Sequence, residues 1–199
     1  MPSRSPSVLQ RARRVRALVF DVDGVLTDGH LWYDRRGEEL KVFFARDGFA
    51  IRLAQREGLL VAILTGRVTP ALRARVADLG IPSELVVEGS TDKRRDLKLL
   101  ARRMNLPLAQ VAYVGDDLPD LPALTVAGLA GCPADATAEV RSSSHLVCRS
   151  RGGGGVAREL VQTVLRAQGR WNAIVASWRA GTAAEGYFAR EKGAKHDNT

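Results

Sequence analysis

No apolar run in this 199-residue chain is longer than a β-strand needs, so no segment reads as a bilayer-spanning helix. The N-terminus also lacks the continuous apolar stretch of a secretory signal. Cysteine is scarce: Cys132 and Cys148 form neither a metal-ligand spacing nor a disulfide framework, and both sit beside expected strands, where buried free thiols are common. A soluble, cytoplasmic protein is therefore expected. Histidine is scarce too, and His30, His145 and His196 stand in no recognisable motif with a Ser or Cys nucleophile. The glycine run 152–155 does not follow the strand–GxxxxGK[ST]–helix pattern of a phosphate loop; it reads as a flexible turn before a helix, one that could approach a neighbouring active site. Aromatics make up 6% and are not interleaved with basic residues as a nucleic-acid stacking platform requires. The net charge of +8 instead sits largely in clusters at 11–16, 93–95 and 102–103 and in the C-terminal tail. Part of it fits a cleft for small anions, phosphate and carboxylate, more economically than it fits nucleic acid. The first fourteen residues hold no acid, and the composition predicts a disordered leader over 1–14.

What is present is an alternation. Short β-branched runs at 15–20, 59–64, 85–87, 111–114, 128–131 and 145–147 alternate with helical patterns at 47–57, 69–79, 91–104, 118–126 and 156–167. With 45% hydrophobic residues the chain supports one core, and the alternation predicts an α/β fold with a parallel sheet covered by helices on both faces. The domain is expected over 15–169, followed by a partly disordered tail over 170–199. Residues 30–44 interrupt the pattern as a β-hairpin insertion. Its Leu31, Trp32, Val42, Phe43 and Phe44 are more apolar surface than a lone hairpin buries. The hairpin is either decoration or a subunit interface.

Polar clusters follow four of these runs. FDVDGVLTDG begins at Phe20, and in an extended segment Asp21 and Asp23 point the same way. Two carboxylates in one small space are costly unless a cation or a proton lies between them, although Asp-x-Asp-Gly is also a common turn. Thr65-Gly66-Arg67 follows the second run, and Lys93 stands in GSTDKRRD, where it is either a site group or a surface lysine. Asp116 and Asp117 follow the run at 111–114, with Asp120 a turn beyond. By themselves Asp116 and Asp117 could equally be helix caps. At the carboxyl ends of parallel strands all four clusters would meet where open α/β sheets bind their ligands.

In this order, carboxylate pair, hydroxyl, lysine and second carboxylate pair resemble the four motifs of the haloacid dehalogenase superfamily. DVDGVLTDG, GEELKVFFARDG, AILTGR, the Asp92-Lys93 pair, VAYVGDDLPDLP and the glycine-rich turn before Val156 are similar to one branch, the 3-deoxy-D-manno-octulosonate 8-phosphate phosphatases. The likeness spans about residues 15–168. The chain departs from that pattern at Phe49-Ala50, at Gly154 and in GCPADATAEV. The resemblance implies a Rossmann-like fold without a cap domain, a homotetramer built on the hairpins, and hydrolysis of a sugar-acid phosphate. The alternatives are a phosphatase for another such substrate, for example a nonulosonate 9-phosphate, or a noncatalytic oligomerisation module.

On this reading Asp21 is the nucleophile, and Asp23 the acid that protonates the leaving oxygen and then, as base, activates water. Thr65 and Lys93 support the transferring phosphoryl group. The resemblance implies Mg²⁺ on Asp21, Asp116 and the backbone carbonyl of Asp23, with Asp117 and Asp120 in an outer shell. A sugar-acid carboxylate would be met by Arg46, Arg52, Arg67 or Arg75, since guanidinium matches carboxylate geometry. Arg52 and Arg75 could equally lie on solvated helix faces. The resemblance adds the turn formed by Phe44, Ala45, Arg46, Asp47 and Gly48 to the substrate contacts.

Overall fold

The computed structural model describes residues 6–183. Six strands form one parallel sheet: β1 (Ala17–Phe20), β4 (Leu60–Leu64), β5 (Val86–Val87), β6 (Val111–Val114), β7 (Leu129–Cys132) and β8 (Leu146–Val147), in the order β5-β4-β1-β6-β7-β8. Every pairing within it is parallel. Each strand pair is bridged by a crossover, and the order reverses on either side of β1, so loops after β1, β4 and β6 open onto one crevice. The four residues of β1 are buried throughout, as are those of β6 and β7, which explains their continuous apolar sequences. The remaining two strands, β2 (Trp32–Tyr33) and β3 (Glu39–Leu40), form a separate antiparallel hairpin.

The helices begin and end where side-chain chemistry stops the backbone ladder. Thr69 accepts from the Leu72 amide at 3.2 Å to open α3 (Pro70–Leu79), with proline at its first position and left-handed Gly80 at its end. Asp92 caps α4 (Lys93–Arg103) by accepting from Arg95 N at 3.0 Å, which fixes Lys93 in the first turn. The α7 helix (Val156–Ala167) packs against α2 (Ala45–Arg56), and α4 against α5 (Leu121–Leu124). The expected helix over 118–126 is in fact a 3-10 turn, Leu118–Asp120, that continues into α5. Pro119 and Pro122 each remove an amide donor there, so one long ladder cannot form.

Three elements depart from the sequence reading. The leader expected over 1–14 includes a helix, α1 (Val8–Arg14), with a capping box between Ser7 and Gln10. It packs on α7, burying Ala12, and Arg11 Nη1 donates to Gly128 O at 2.8 Å. An acid-poor composition hid one apolar contact surface formed only in the fold. Likewise α8 (Trp171–Arg179) occupies the start of the expected tail and packs on α7, and α6 (Ala138–Ser143) lies where only a departure from the family pattern was noted. The expected disorder over 1–5 and over the last dozen residues lies outside the described residues. Among the described residues no helix is long and apolar enough to cross a membrane.

If α1 is part of the folded domain, placing a charge at fully buried Ala12 must cost stability. Ala12→Asp is expected to lower the urea midpoint by the equivalent of about 2 kcal/mol or more, whereas a leader would leave it unchanged.

Candidate active site

At the carboxyl end of β1 the chain turns at Gly24, whose φ is +81°. A β-carbon there would lie 2.0 Å from Asp116 Oδ2, so only glycine lets the loop after β1 come this close to the loop after β6. The same logic holds at Gly115, where a β-carbon would lie 2.3 Å from Asp120 Cγ. Gly24 brings the two loops together and Gly115 lets Asp120 turn back within its own loop, so that one oxygen each of Asp21, Asp116 and Asp120 lies within 4.8 Å of the others.

Lys93 answers that concentration of negative charge. Its Nζ lies 3.0 Å from Asp21 Oδ1 and also pairs with Asp120 Oδ1. Burial opposes its charge, but Asp21 and Asp120 outweigh burial and raise its pKa. One ammonium is not enough for three carboxylates. Burial, reinforced by Asp120, pushes Asp21 up to about 7 and Asp116 likewise to about 7. Asp120 is the most tightly held: it accepts from Lys93, from the Tyr113 hydroxyl, and from the amides of Asp116 and Asp117 at 3.0 and 3.2 Å. Tyr113 itself is fully buried, and that burial together with Asp120 raises its phenol well above the usual value.

Thr65 is 1% exposed at the end of β4, where its hydroxyl oxygen accepts from Arg67 N at 3.3 Å. Asp23 does not join the carboxylate cluster through its side chain. It pairs with Lys41, and Arg67 Nε lies 3.9 Å from its Oδ2. Lys41 also lies 2.6 Å from Glu39 Oε1, and Arg67 bonds the other oxygen of Glu39. Burial works against ionised Glu39, but Arg67 and Lys41 overcome it and lower its pKa. Glu39 and Lys41 were missed as individual residues, although their spacing of two places both on one face of an extended strand.

The remaining candidates scatter. Asp117 is exposed, and its carboxylate caps the 3-10 turn by accepting from Leu118 N at 2.8 Å. Arg52 and Arg75 both pair with Asp78, at 3.1 and 2.5 Å, on the surface between α2 and α3. Arg75 also lies over the Phe43 ring, and Gly48 leaves it room, since a β-carbon there would stand 2.1 Å from Arg75 Nη2. Arg46 is exposed over the Phe44 ring, at 5.7 Å from its centre, and Ala45 is exposed beside it. Asp47 is buried and caps α7: it accepts from Arg158 N at 2.7 Å, and burial, opposed by the amides of Arg158, Gly155 and Ala157, pushes it up to about 6.

The glycine-rich turn at 152–155 packs on the loop after β1 of its own chain. Gly153 N donates to Val25 O at 3.0 Å, and a β-carbon on Gly152 would lie 2.1 Å from Gly24 O. The turn thereby supports the loop that carries Asp21 and Asp23. Beside the carboxylates opens a cavity of about 250 Å³ lined by Gly24, Asp28, Gly29, His30, Asp116 and Asp135.

Crowded acids at strand ends, a buried lysine and a buried threonine define the class of a haloacid dehalogenase-like hydrolase, and the model of that family matches residues 43–128. The 3-deoxy-D-manno-octulosonate 8-phosphate phosphatase of Haemophilus influenzae is 40% identical over 161 residues, 81% of this chain and 88% of that one. A probable yrbI family phosphatase from Pseudomonas syringae superposes with a TM-score of 0.82 at 40% identity, covering 86% of this chain and 96% of that one. The Moraxella catarrhalis 3-deoxy-D-manno-octulosonate 8-phosphate phosphatase, solved with magnesium, phosphate and KDO, superposes with a TM-score of 0.82 at 33% identity, covering 86% and 97%. The chain belongs to the 3-deoxy-D-manno-octulosonate 8-phosphate phosphatase family, within the haloacid dehalogenase-like hydrolases.

The raised carboxyls give the site a pH signature. Asp21 and Asp116 move from an ordinary 3.8 to about 7, so between those values the folded protein holds protons the unfolded chain has lost. Stability in chelator is therefore expected to fall as pH rises from about 4 to 7. Thermal melts across that window should show the fall, and Asp116→Asn should flatten it.

Proposed function

We propose that this chain hydrolyses 3-deoxy-D-manno-octulosonate 8-phosphate to the free sugar acid and inorganic phosphate, as a cytoplasmic step of lipopolysaccharide biosynthesis. The observation that carries the reading is the cluster of buried Asp21 and Asp120, both paired with Lys93, and half-buried Asp116, together with relatives of that name over most of the chain. A pocket with three converging carboxylates, two of them pushed up to about 7, suits a hard divalent cation that takes oxygen ligands. Mg²⁺ would be held by Asp21 and Asp116, with the Asp23 carbonyl as a further ligand and Asp120 holding its neighbours in place. When bound it neutralises phosphate charge that protein donors alone would have to carry.

The chain's own groups supply the rest. An Asp21 carboxylate oxygen attacks phosphorus, the bond to the sugar oxygen breaks, and an aspartyl phosphate remains. Asp23 gives its proton to the departing alkoxide, then takes one from the water that cleaves the aspartyl phosphate. Its Oδ2 is buried and accepts no hydrogen bond, which leaves that oxygen available for proton transfer. Lys93 holds Asp21 in line and, from the first turn of α4, adds positive charge beside the phosphoryl oxygens. Thr65 lies at the end of β4 to donate to the same oxygens. Arg67 is the guanidinium nearest this chemistry and the one best placed for a sugar-acid carboxylate.

No cap domain is present among the described residues, and the reacting phosphate needs cover from water. The hairpin presents Trp32 at 56% and Val42 at 68% exposure, with Leu31, Tyr33 and Leu40 also outward, while Phe43 packs inward on the core. Such a surface suits self-association into a closed homotetramer whose neighbouring subunits cover the site.

A phosphate-release screen over sugar phosphates is expected to favour the octulosonate ester and to lose its signal in chelator. Asp21→Asn should cost on the order of 10³-fold or more in turnover while leaving the fold intact. Asp23→Asn should trap phosphoenzyme detectable by intact mass. Wild-type turnover in Asp21→Asn would reject the mechanism.

Assembly is tested separately. Trp32→Glu is expected to lower the sedimentation coefficient and the activity together, and a fully active wild-type monomer would reject cover by neighbours.

A further inference from the structure

Arg67 stands on the loop after β4, two residues beyond Thr65, and its guanidinium is fastened by the hairpin rather than by the sheet. Its Nη2 donates to Glu39 Oε2. That bond raises the pKa of Arg67 against the opposing effect of desolvation, and a hydrogen bond to Tyr33, which stands opposite Glu39 in the hairpin, adds to the rise. Glu39 is itself held: its Oε1 lies 2.6 Å from Lys41 Nζ, and Lys41 in turn pairs with Asp23. The side chains of Glu39 and Lys41 are 9% and 3% exposed, whereas Leu40 and Val42, which alternate with them, lie in the open.

Contacts therefore run without a break from Asp23 through Lys41 and Glu39 to Arg67. The far end is open to a ligand. The Arg67 side chain is 42% exposed, and a guanidinium has five N–H donors, of which Glu39 and Tyr33 use only some. Glu39 spends one oxygen on Arg67 and the other on Lys41, so a second carboxylate can join the guanidinium without displacing the first. A free arginine gives up rotamer freedom when it binds an anion, and one already fixed by a largely buried carboxylate has less to give up.

We propose that Glu39 is a positioning residue that selects substrates bearing a carboxylate by holding the Arg67 guanidinium ready for it, a role that rests on Arg67 meeting the sugar-acid carboxylate. Selectivity is then set by a hairpin side chain that touches no substrate atom. Lys41 serves the same end one step removed, since it fixes the other oxygen of Glu39. The hairpin thereby acts on substrate choice within its own chain, separately from any part its apolar surface plays in assembly.

Inhibition by free 3-deoxy-D-manno-octulosonate and by its methyl ester reads this directly, because the ester keeps the sugar and loses the charge. Both are measured against hydrolysis of the 8-phosphate in the wild-type protein, Glu39→Gln, Arg67→Gln and the double variant. The wild-type protein is expected to bind the acid more tightly than the ester. Glu39→Gln should raise KM and the inhibition constant of the acid about tenfold, while kcat and the inhibition constant of the ester stay within about twofold. Its sedimentation coefficient should not change. Arg67→Gln should be selective in the same way, and adding Glu39→Gln to it should cost little more. A Glu39→Gln protein that binds the acid as well as the wild type, or better, overturns the proposal. So does an equal loss for acid and ester, or a loss that comes with a lower sedimentation coefficient. If Arg67→Gln weakens acid and ester alike, the reading of Arg67 fails and the role of Glu39 with it; if Arg67→Gln is selective and Glu39→Gln is not, the role of Glu39 alone fails.

Discussion

Three carboxylates clustered at two strand ends, two of them paired with one buried lysine, are the constraint on which the remaining architecture depends. Such a cluster is unstable alone, because each ionised acid raises the cost of ionising the next. Lys93 offsets part of that cost, and the burial that raises Asp21 and Asp116 to about 7 shows that it does not offset all of it. The site therefore sits poised between protonation and cation binding. That is the state a phosphoryl-transfer centre needs, since its substrate brings further negative charge.

Everything around the cluster serves to hold it in place. Gly24 removes the side chain that would keep the β1 and β6 loops apart, and Gly115 lets Asp120 fold back against the start of its own loop. The glycine turn at 152–155 packs on the Gly24 backbone, and Asp135 holds that turn by accepting from Gly152 N at 3.0 Å. Asp120 fixes the β6 loop through four donors, one of them the buried Tyr113 hydroxyl.

The hairpin takes part in this arrangement through charge as much as through apolar surface. Lys41 and Glu39 reach from β3 and its continuation to Asp23 and Arg67, forming a quartet in which two carboxyl groups face an amino group and a guanidinium. The insertion is therefore linked to the loop that supplies the proposed acid and to the arginine proposed to meet the sugar carboxylate.

Much of this was legible in the chain itself. Continuous apolar runs of strand length can be buried only in a parallel sheet with both faces covered, and polar groups after such runs can meet only at its carboxyl edge, so the fold and the neighbourhood of Asp21, Thr65, Lys93 and Asp116 followed from local pattern. What pattern could not supply was the choice of partner for each long charged side chain. Arg52 and Arg75 turn to Asp78, Asp47 caps α7, Asp117 caps its own turn, and Lys41 takes Asp23. The helices at Val8–Arg14 and Trp171–Arg179 were illegible for a related reason: each is stabilised by packing on α7, a surface that exists only once the chain has folded. Sequence determines periodicity and local capping, which act over a few residues; ion pairs and packing between distant segments are decided by proximity, which only the tertiary structure creates.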